Sequence, residues 1–195
     1  MLPGRFKRPK GRHQGDSGTI STACSRCSKK FQEDNPLPDI KDALKLELNP
    51  GTFPVEIAKI REFSTSLLDD SPAYRSSAKA KAAGFKDMPV PVTFLVANAY
   101  AEPGQNGLMA IMDAGIAKRG MMLHGEQEFE YLRPIYVGER LTVTNKIVDA
   151  YEKEGSRGGS MVFFVAESEF TGEDGKPAAR TRMIIIERRP APKAA

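Results

Sequence analysis

The sequence predicts a single α+β domain, in which an antiparallel sheet wraps around a central apolar helix. Between residues 123 and 188 apolar and polar residues alternate, and this period of two is typical of strands with one buried face. Short connections that contain glycine separate the alternating stretches, as hairpin turns require. Ahead of them, residues 93–100 are almost all apolar, which indicates a helix that is buried on every side.

One strand and two short helices are predicted before the central helix. Residues 52–60 alternate apolar with polar positions and lead into residues 61–68, which are spaced as a short helix. Residues 69–74 have the composition of a turn, and residues 75–83 are rich in helix formers. We expect the second helix to end at Gly84, because glycine often caps a helix C-terminus.

The central helix begins at Thr93, whose hydroxyl can accept a hydrogen bond from a backbone N–H of the first turn. Four strands are predicted after it, near residues 123–131, 140–147, 162–170 and 181–188. A hairpin-linked sheet of this kind has one wet face and one dry face, and the dry face needs a cover. The apolar helix that starts at Thr93 is the predicted cover.

The chain divides into a basic extension, one domain and a short tail. Residues 1–43 are rich in Gly, Pro, Ser, Lys and Arg and have no period, so we expect them to be disordered. Residues 44–190 form the predicted domain, since 40% apolar residues in a chain of 195 suffice for one core and not for two. Residues 191–195 are the tail.

The formal net charge of +4 lies in the extension. Eight of the 29 basic residues and four of the 25 acidic residues precede residue 40, which leaves 21 of each sign in the rest of the chain. Nucleic acid is therefore not an expected partner of the domain. No apolar stretch is long enough for a membrane span, and the N-terminus lacks the apolar core of a secretory signal, so we expect a cytoplasmic protein without a membrane partner.

Two cysteines in the extension, Cys24 and Cys27, have the spacing of half a zinc ribbon, but the chain has no second cysteine pair. His13 would add a third ligand and still leave the site incomplete. We therefore expect neither a metal nor any other cofactor, and we interpret the cysteine pair as a chance feature of the extension.

Four passages of the predicted domain resemble one known family. They are residues 69–74, 84–94, 123–131 and 133–141, which read DDSPAY, GFKDMPVPVTF, LHGEQEFEY and RPIYVGERL. In these passages the chain is similar to MaoC-like dehydratases with the hot-dog fold, specifically to their N-terminal or FAS1-like dehydratase group. That group includes the non-catalytic type of subunit in bacterial 3-hydroxyacyl thioester dehydratases. The resemblance implies a single hot-dog fold and chemistry on acyl thioesters.

Active members of the superfamily carry the motif Gly-Asp-x-Asn-Pro-x-His ahead of the central helix. Asp and His on one loop can converge on a single water molecule, and backbone N–H groups can stabilise the thioester oxygen. In this chain Asp69 and Pro72 match the motif, whereas Leu68, Ser71 and Tyr74 replace its Gly, Asn and His. Tyrosine has a reference pKa of about 10 and is a poor base at neutral pH, so the resemblance implies a degenerate catalytic motif.

The site residues that the resemblance implies have alternative interpretations. Asp69 and Tyr74 are the catalytic candidates, but Asp69 can instead start an Asx-type turn and Tyr74 can be a buried, hydrogen-bonded aromatic residue. His124 can act as a base, hold the start of its strand or line an acyl tunnel. Val92 and Thr93 stand where active members have His-Gly. By resemblance, the substrate-binding candidates are Gly84, Phe85, Pro91, Thr93, His124 and Gly125.

The leading functional hypothesis is a subunit of a (3R)-3-hydroxyacyl-thioester dehydratase, or equivalently of a 2-enoyl-thioester hydratase, that shapes the acyl tunnel beside a catalytic partner chain. The expected partners are an acyl-CoA or acyl carrier protein thioester and a second hot-dog subunit, because a lone sheet leaves an open edge. Three alternatives stay open: a homodimeric hydratase or thioesterase that uses Asp69, a non-enzymatic acyl-thioester binding module, and nucleic-acid binding through the extension. The last is disfavoured because no aromatic residues interleave the basic run.

Overall fold

The computed structural model describes residues 38–98 with their side chains, the backbone of residues 99 and 100, and residues 107–117, 120–155 and 158–190. Most of the predicted extension, with both cysteines, and the tail lie outside the described residues. The first described element is a 3-10 helix, Ile40–Lys45, which the side chain of Asp39 caps and which buries Ala43. Residues 40–43, which we assigned to the extension, are therefore part of this helix, and the expected domain start at residue 44 lies within it.

The strands form one antiparallel sheet within the described residues. They are β1 (Gly51–Pro54), β2 (Met121–Tyr131), β3 (Arg140–Glu154), β4 (Ser160–Thr171) and β5 (Pro177–Arg189). Their order in the sheet is β1-β3-β4-β5-β2, so that β1 and β2 lie at the two edges. Every stretch predicted as a strand from residue 123 onward is a strand, and the α+β fold class is confirmed.

Among the residues that the structure describes, three short α-helices precede β2. They are α1 (Ile57–Ser66), α2 (Ser77–Ala82) and α3 (Gly107–Asp113). β1 is shorter than the alternating stretch of residues 52–60, because α1 already begins inside that stretch. α2 ends at the predicted place: Gly84 has φ +92°, which favours glycine, and the next N–H, of Phe85, donates to the carbonyl of Ala80 at 3.1 Å.

The apolar segment after Thr93 is a helix, as predicted, and it is of the 3-10 type, Phe94–Tyr100. Its backbone bonds span three residues, as from the N–H of Val96 to the carbonyl of Thr93 at 3.1 Å. A β-branched residue such as Val96 weakens the preference for an α-helix. The segment nevertheless covers the sheet as expected, because Phe94 and Leu95 are each only 2% exposed.

The inner face of the sheet carries two apolar clusters. In the first, the rings of Phe94 and Phe170 lie 5.7 and 5.8 Å from the ring of Phe53. The second contains mainly aliphatic residues of α3 and the strands, among them Ile111, Ile147, Val162, Phe164 and Ile185. Between the clusters, three polar residues pair side by side on neighbouring strands, and we call them the polar row: Asn145 on β3, Ser168 on β4 and Thr181 on β5.

The outer face of the sheet carries charges of alternating sign. Arg180 on β5 lies between Glu169 on β4 and Glu130 on β2, with N–O distances of 2.9 and 3.8 Å. On the next row Lys146 of β3 lies 3.4 Å from Glu167 of β4. Most of these side chains are well exposed, so each pair contributes only about 0–1 kcal/mol. This is the wet face that the period of two predicts.

Candidate functional site

The loop between α1 and α2 carries the residues that match the catalytic motif in part. At its entry Leu68 has φ +55°, a left-handed conformation that costs a residue with a side chain about 1–2 kcal/mol. Asp69 then forms an Asx turn, because its Oδ1 accepts the N–H of Ser71 at 2.9 Å. A 3-10 turn, Pro72–Tyr74, completes the loop. One carboxylate oxygen of Asp69 is thus committed to the local turn.

Arg75 ties this loop to the end of α1. Its guanidinium donates to the carbonyl of Asp69 at 3.0 Å, to Oδ1 of Asp70 at 3.1 Å and to Oγ1 of Thr65 at 3.1 Å. The Asp70 side chain is almost fully exposed, so its ion pair with Arg75 adds little stability. The bond to the Asp69 carbonyl matters more for the site, because it fixes the backbone that aims the Asp69 side chain.

The hydroxyl of Tyr74 lies near Asp69, and the hydroxyl of Tyr131 lies near Tyr74. Burial raises the pKa of Tyr74 above the ordinary tyrosine value, and the negative charge of Asp69 raises it further. Burial likewise raises the pKa of Tyr131 on β2, with a smaller contribution from Tyr74. Both hydroxyls therefore keep their protons at neutral pH and act as hydrogen-bond donors, not as bases.

The start of the 3-10 helix closes the site on the side of Tyr131. The hydroxyl of Tyr131 donates to the carbonyl of Pro91 at 3.4 Å, and the N–H of Phe94 donates to the same carbonyl at 2.9 Å. Val92 is 72% exposed and Thr93 is partly buried. Because the N–H of Phe94 already donates to the carbonyl of Pro91, it is not free to donate to a thioester oxygen.

The other residues implied by resemblance lie on two different elements. Gly84 and Phe85 form the end of α2, where Gly84 serves as the cap and Phe85 is 43% exposed. His124 and Gly125 lie on β2 at a bulge, and the Nε2 of His124 is 3.3 Å from Oε1 of Gln127. His124 is seven residues from Tyr131, or roughly 24 Å along an extended strand. Within one chain, the structure therefore does not bring His124 to the loop of Asp69.

An apolar cleft of about 580 Å³ opens beside the same 3-10 helix. Its floor is formed by Phe53 of β1, Phe63 of α1 and Phe94, and the last two rings meet edge to face at 5.4 Å. Charged side chains of α1 and the residue before it, Lys59, Glu62 and Glu56, lie at its rim. No local pattern in the sequence predicts this cleft, because its aromatic residues come from three separate segments.

Sequence reasoning also missed Tyr131. Its position in the alternating strand indicated an inward-facing side chain, and nothing local indicated that its hydroxyl would lie near Tyr74 of a distant loop. Among the described residues, no group of three or more His, Cys, Asp or Glu side chains is arranged to hold a metal ion. The part of the chain that the structure describes contains no helix long and apolar enough to cross a membrane.

Comparison with known proteins places these features in a family. The profile of the FAS1-like, dehydratase domain region matches residues 45–181. A UPF0336 protein of Thermobifida fusca is 31% identical over 144 residues, which cover 73% of this chain and 89% of that protein. A UPF0336 protein of Streptomyces avermitilis is 38% identical over 101 residues, which cover 50% of this chain and 65% of the relative, just under two thirds of its length.

Solved structures share the fold. The ChsH1-ChsH2 complex from Mycobacterium tuberculosis matches with a TM-score of 0.60 and 20% identity over 74% of this chain and 85% of that chain. The HadBC (3R-hydroxyacyl-ACP dehydratase) complex from the same organism matches with a TM-score of 0.55 and 20% identity over 73% of this chain and 99% of that chain. A MaoC-like dehydratase matches with a TM-score of 0.57 and 19% identity, over 74% of this chain and 43% of that chain. The profile match covers most of the chain, which also has the hot-dog sheet and a loop that matches the family motif in part. The chain therefore belongs to the FAS1-like dehydratase family of MaoC-like hot-dog proteins.

Proposed function

We propose that this chain is a subunit of a (3R)-3-hydroxyacyl-thioester dehydratase, equivalently a 2-enoyl-thioester hydratase, that holds the acyl group while a second hot-dog chain transfers the protons. The observation that carries the proposal is the state of the motif loop. Asp69 is present at the motif position, but one of its carboxylate oxygens accepts the N–H of Ser71. The position that requires a base is occupied by a protonated tyrosine, Tyr74.

The apolar cleft supports the acyl-holding role. Three phenylalanine rings form its floor, and its volume of about 580 Å³ is within the range of ordinary ligand pockets. It lies against Phe94, three residues after Pro91, whose carbonyl accepts the hydroxyl of Tyr131. The cleft and the motif loop are therefore built on the same apolar cluster, since Phe53 and Phe94 of the cleft and Ala73 of the loop belong to it.

The exposed edge of β2 supports a partner chain. β2 pairs with β5 on one side, and its eleven residues leave a row of backbone groups on the other. A second copy of this chain would add only another loop with tyrosine in place of histidine. A partner that carries both Asp and His supplies what is missing, and two of the solved structures with this fold are complexes named ChsH1-ChsH2 and HadBC.

In the proposed dehydration, the partner's base removes a proton from the carbon next to the thioester carbonyl. The hydroxyl on the following carbon leaves as water with a proton from the partner's acid, and a carbon–carbon double bond forms. The hydroxyl of Tyr74 stays protonated and is suited to donate a hydrogen bond to the thioester oxygen, where negative charge develops, whereas the single proton of the Tyr131 hydroxyl is already donated to the carbonyl of Pro91. Hydration is the same sequence in reverse.

The test is an enoyl-CoA hydration assay with the full chain alone and with a co-purified hot-dog chain that has the intact motif. We expect no measurable turnover for the chain alone and turnover with the partner. Asp69→Asn in this chain should leave the turnover of the complex within about threefold, because an Asn oxygen can still accept the N–H of Ser71. The same substitution in the partner's motif should reduce turnover by about a hundredfold or more.

Two results would contradict the proposal and favour another function. Strong hydration by the chain alone that Asp69→Asn abolishes would identify a self-sufficient enzyme, which the nearness of Asp69 and Tyr74 makes the second candidate. Acyl-CoA binding that never leads to turnover with any hot-dog partner would identify a binding module instead.

A further inference from the structure

The polar row interrupts an otherwise apolar inner face. On β3, Asn145 lies between the buried residues Val143 and Ile147 on the same face. In register beside it lie Ser168 of β4 and then Thr181 of β5. Polar groups at such positions cost free energy unless they are hydrogen-bonded, so the row calls for a physical reason.

The hydrogen bonds of Asn145 satisfy only half of its amide. Its Oδ1 accepts the hydroxyl of Ser168 at 2.6 Å and the Nδ2 of Asn98 at 3.4 Å. Its Nδ2 is buried and has no hydrogen-bond partner among the described residues. Turning the amide by half a circle, together with that of Asn98, only exchanges the unpaired donor for an unpaired acceptor. Either way one end of the Asn145 amide is buried without a hydrogen-bond partner among the described residues.

Asn145 is one of the residues that line a cavity of about 50 Å³. Its polar lining is Asn98, Gln127, Asn145, Ser168 and Thr181. Leu95 and Val96 of the 3-10 helix form the opposite wall, so the cavity lies between the cover and the sheet. The volume suits one functional group or one to two water molecules.

The row leads from the cavity toward the edge strand. Thr181 pairs with Phe129 of β2, which is only partly buried, so this end of the row lies near the surface that the proposed partner covers. Phe129 is two residues from Tyr131, or about 7 Å along the strand. The cavity and the apolar cleft lie against the same 3-10 helix, since Leu95 and Val96 line the cavity whereas Phe94 and Ala97 line the cleft. An acyl chain held in the cleft would therefore have to extend past this helix for an oxygen atom on it to reach the polar row.

We propose that the polar row is a subsite for an oxygen atom on the acyl chain, a hydroxyl or carbonyl group separate from the one at the reacting carbons, which accepts a hydrogen bond from Asn145. This inference rests on the proposed function, since it assumes that the ligand is an acyl thioester. It assigns a substrate class: acyl groups with a second oxygen function along the chain, in preference to plain alkyl chains of the same length.

The test is calorimetric binding to the full chain with a series of acyl-CoAs from hexanoyl to dodecanoyl, each as the plain thioester and with a hydroxyl or keto group on the chain. At one chain length we expect the oxygenated ligand to bind about five- to tenfold more tightly than its plain counterpart, as one buried hydrogen bond allows. Asn145→Leu should remove this preference while leaving the affinity for the plain thioester within about threefold.

Thr144→Val, next to Asn145 and exposed on the outer face, is the matched control and should keep the preference. Ser168→Ala is the second variant in case Asn145→Leu fails to fold, and it should weaken the preference, because Ser168 holds the Asn145 amide in place. Equal affinities for plain and oxygenated ligands throughout the series would overturn the subsite and leave the proposed function standing. Binding of neither kind would overturn both.

Discussion

The guanidinium of Arg133 lies 2.8 Å from the carboxylate of Glu139, across the connection between β2 and β3. The other oxygen of that carboxylate accepts the N–H of Tyr136 at 2.7 Å. The backbone on either side is tied to Val55 after β1, because Gly138 donates to the Val55 carbonyl and Val55 donates to the Glu139 carbonyl, both at 2.8 Å. The family passage of residues 133–141 is thus a clamp that holds the edge strand β1 to the β2–β3 connection.

Glu139→Ala should lower the free energy of unfolding by about 1–2 kcal/mol, because it leaves the N–H of Tyr136 without its acceptor. Both charged side chains keep a quarter to a third of their surface in solvent, so the ion pair itself contributes less than this. Glu139→Gln keeps an oxygen for Tyr136 and should lose about half as much. Urea denaturation followed by circular dichroism measures both, and equal losses for the two variants would contradict the assignment.

Local patterns predicted the parts of the fold that local interactions determine. The alternation of Glu128 and Glu130 with Phe129 indicates a strand with two unlike faces, and Gly84 indicates a cap that needs a positive φ; both are found. Local patterns also indicated a buried helix after Thr93 but not its 3-10 type, because apolar residues report burial and not the hydrogen-bond pattern.

The candidate site could be predicted only in part, because it is made of segments that meet through the sheet. Asp69 and Tyr74 were visible as a motif with altered residues, and the Asx turn was one of two interpretations of Asp69. Tyr131 and Pro91 are brought into contact because β2 pairs with β5 and because the chain at Pro91 leads into the 3-10 helix that covers the sheet. No local pattern in the sequence specifies either arrangement. The same holds for the half-satisfied amide of Asn145.

Leu68→Gly should raise the free energy of unfolding by roughly 0.5–1 kcal/mol. Leu68 has φ +55° and is 87% exposed, so the substitution relieves about 1–2 kcal/mol of left-handed strain and costs about 0.5–1 kcal/mol of chain entropy. The matched control is Leu67→Gly, one residue earlier at φ −87°, which should lower stability, because it adds the entropic cost and removes a half-buried side chain without relieving any strain. Thermal unfolding compares the two, and a loss in both variants would show that Leu68 is not strained.

Gly125→Ala should lower the free energy of unfolding by about 1–3 kcal/mol, as expected for an overpacked site. A Cβ at this position would lie 2.7 Å from Cδ1 of Ile186 and 3.1 Å from the carbonyl oxygen of Ile184. Ile186→Val removes the closer atom, so the double variant should recover part of the loss. A double-mutant cycle in urea measures this coupling, and additive losses would mean that the Ile186 side chain does not set the requirement for glycine.

Tyr131 should make the protein lose stability at alkaline pH. Its pKa is raised in the folded state, so above pH about 10 the unfolded chain releases the Tyr131 proton while the folded chain retains it. The free energy of unfolding is therefore unaffected by this group below pH about 10 and falls above it, by at most about 1.4 kcal/mol per pH unit.

Tyr131→Phe has no proton to retain and should show a shallower fall, measured by urea denaturation from neutral pH upward. At neutral pH the variant should lose only about 0.5–1 kcal/mol, for the long bond to the Pro91 carbonyl. Parallel curves for wild type and variant would mean that the Tyr131 hydroxyl ionises as readily in the folded protein as in the unfolded chain, and would remove its assignment as a permanently protonated donor of the site.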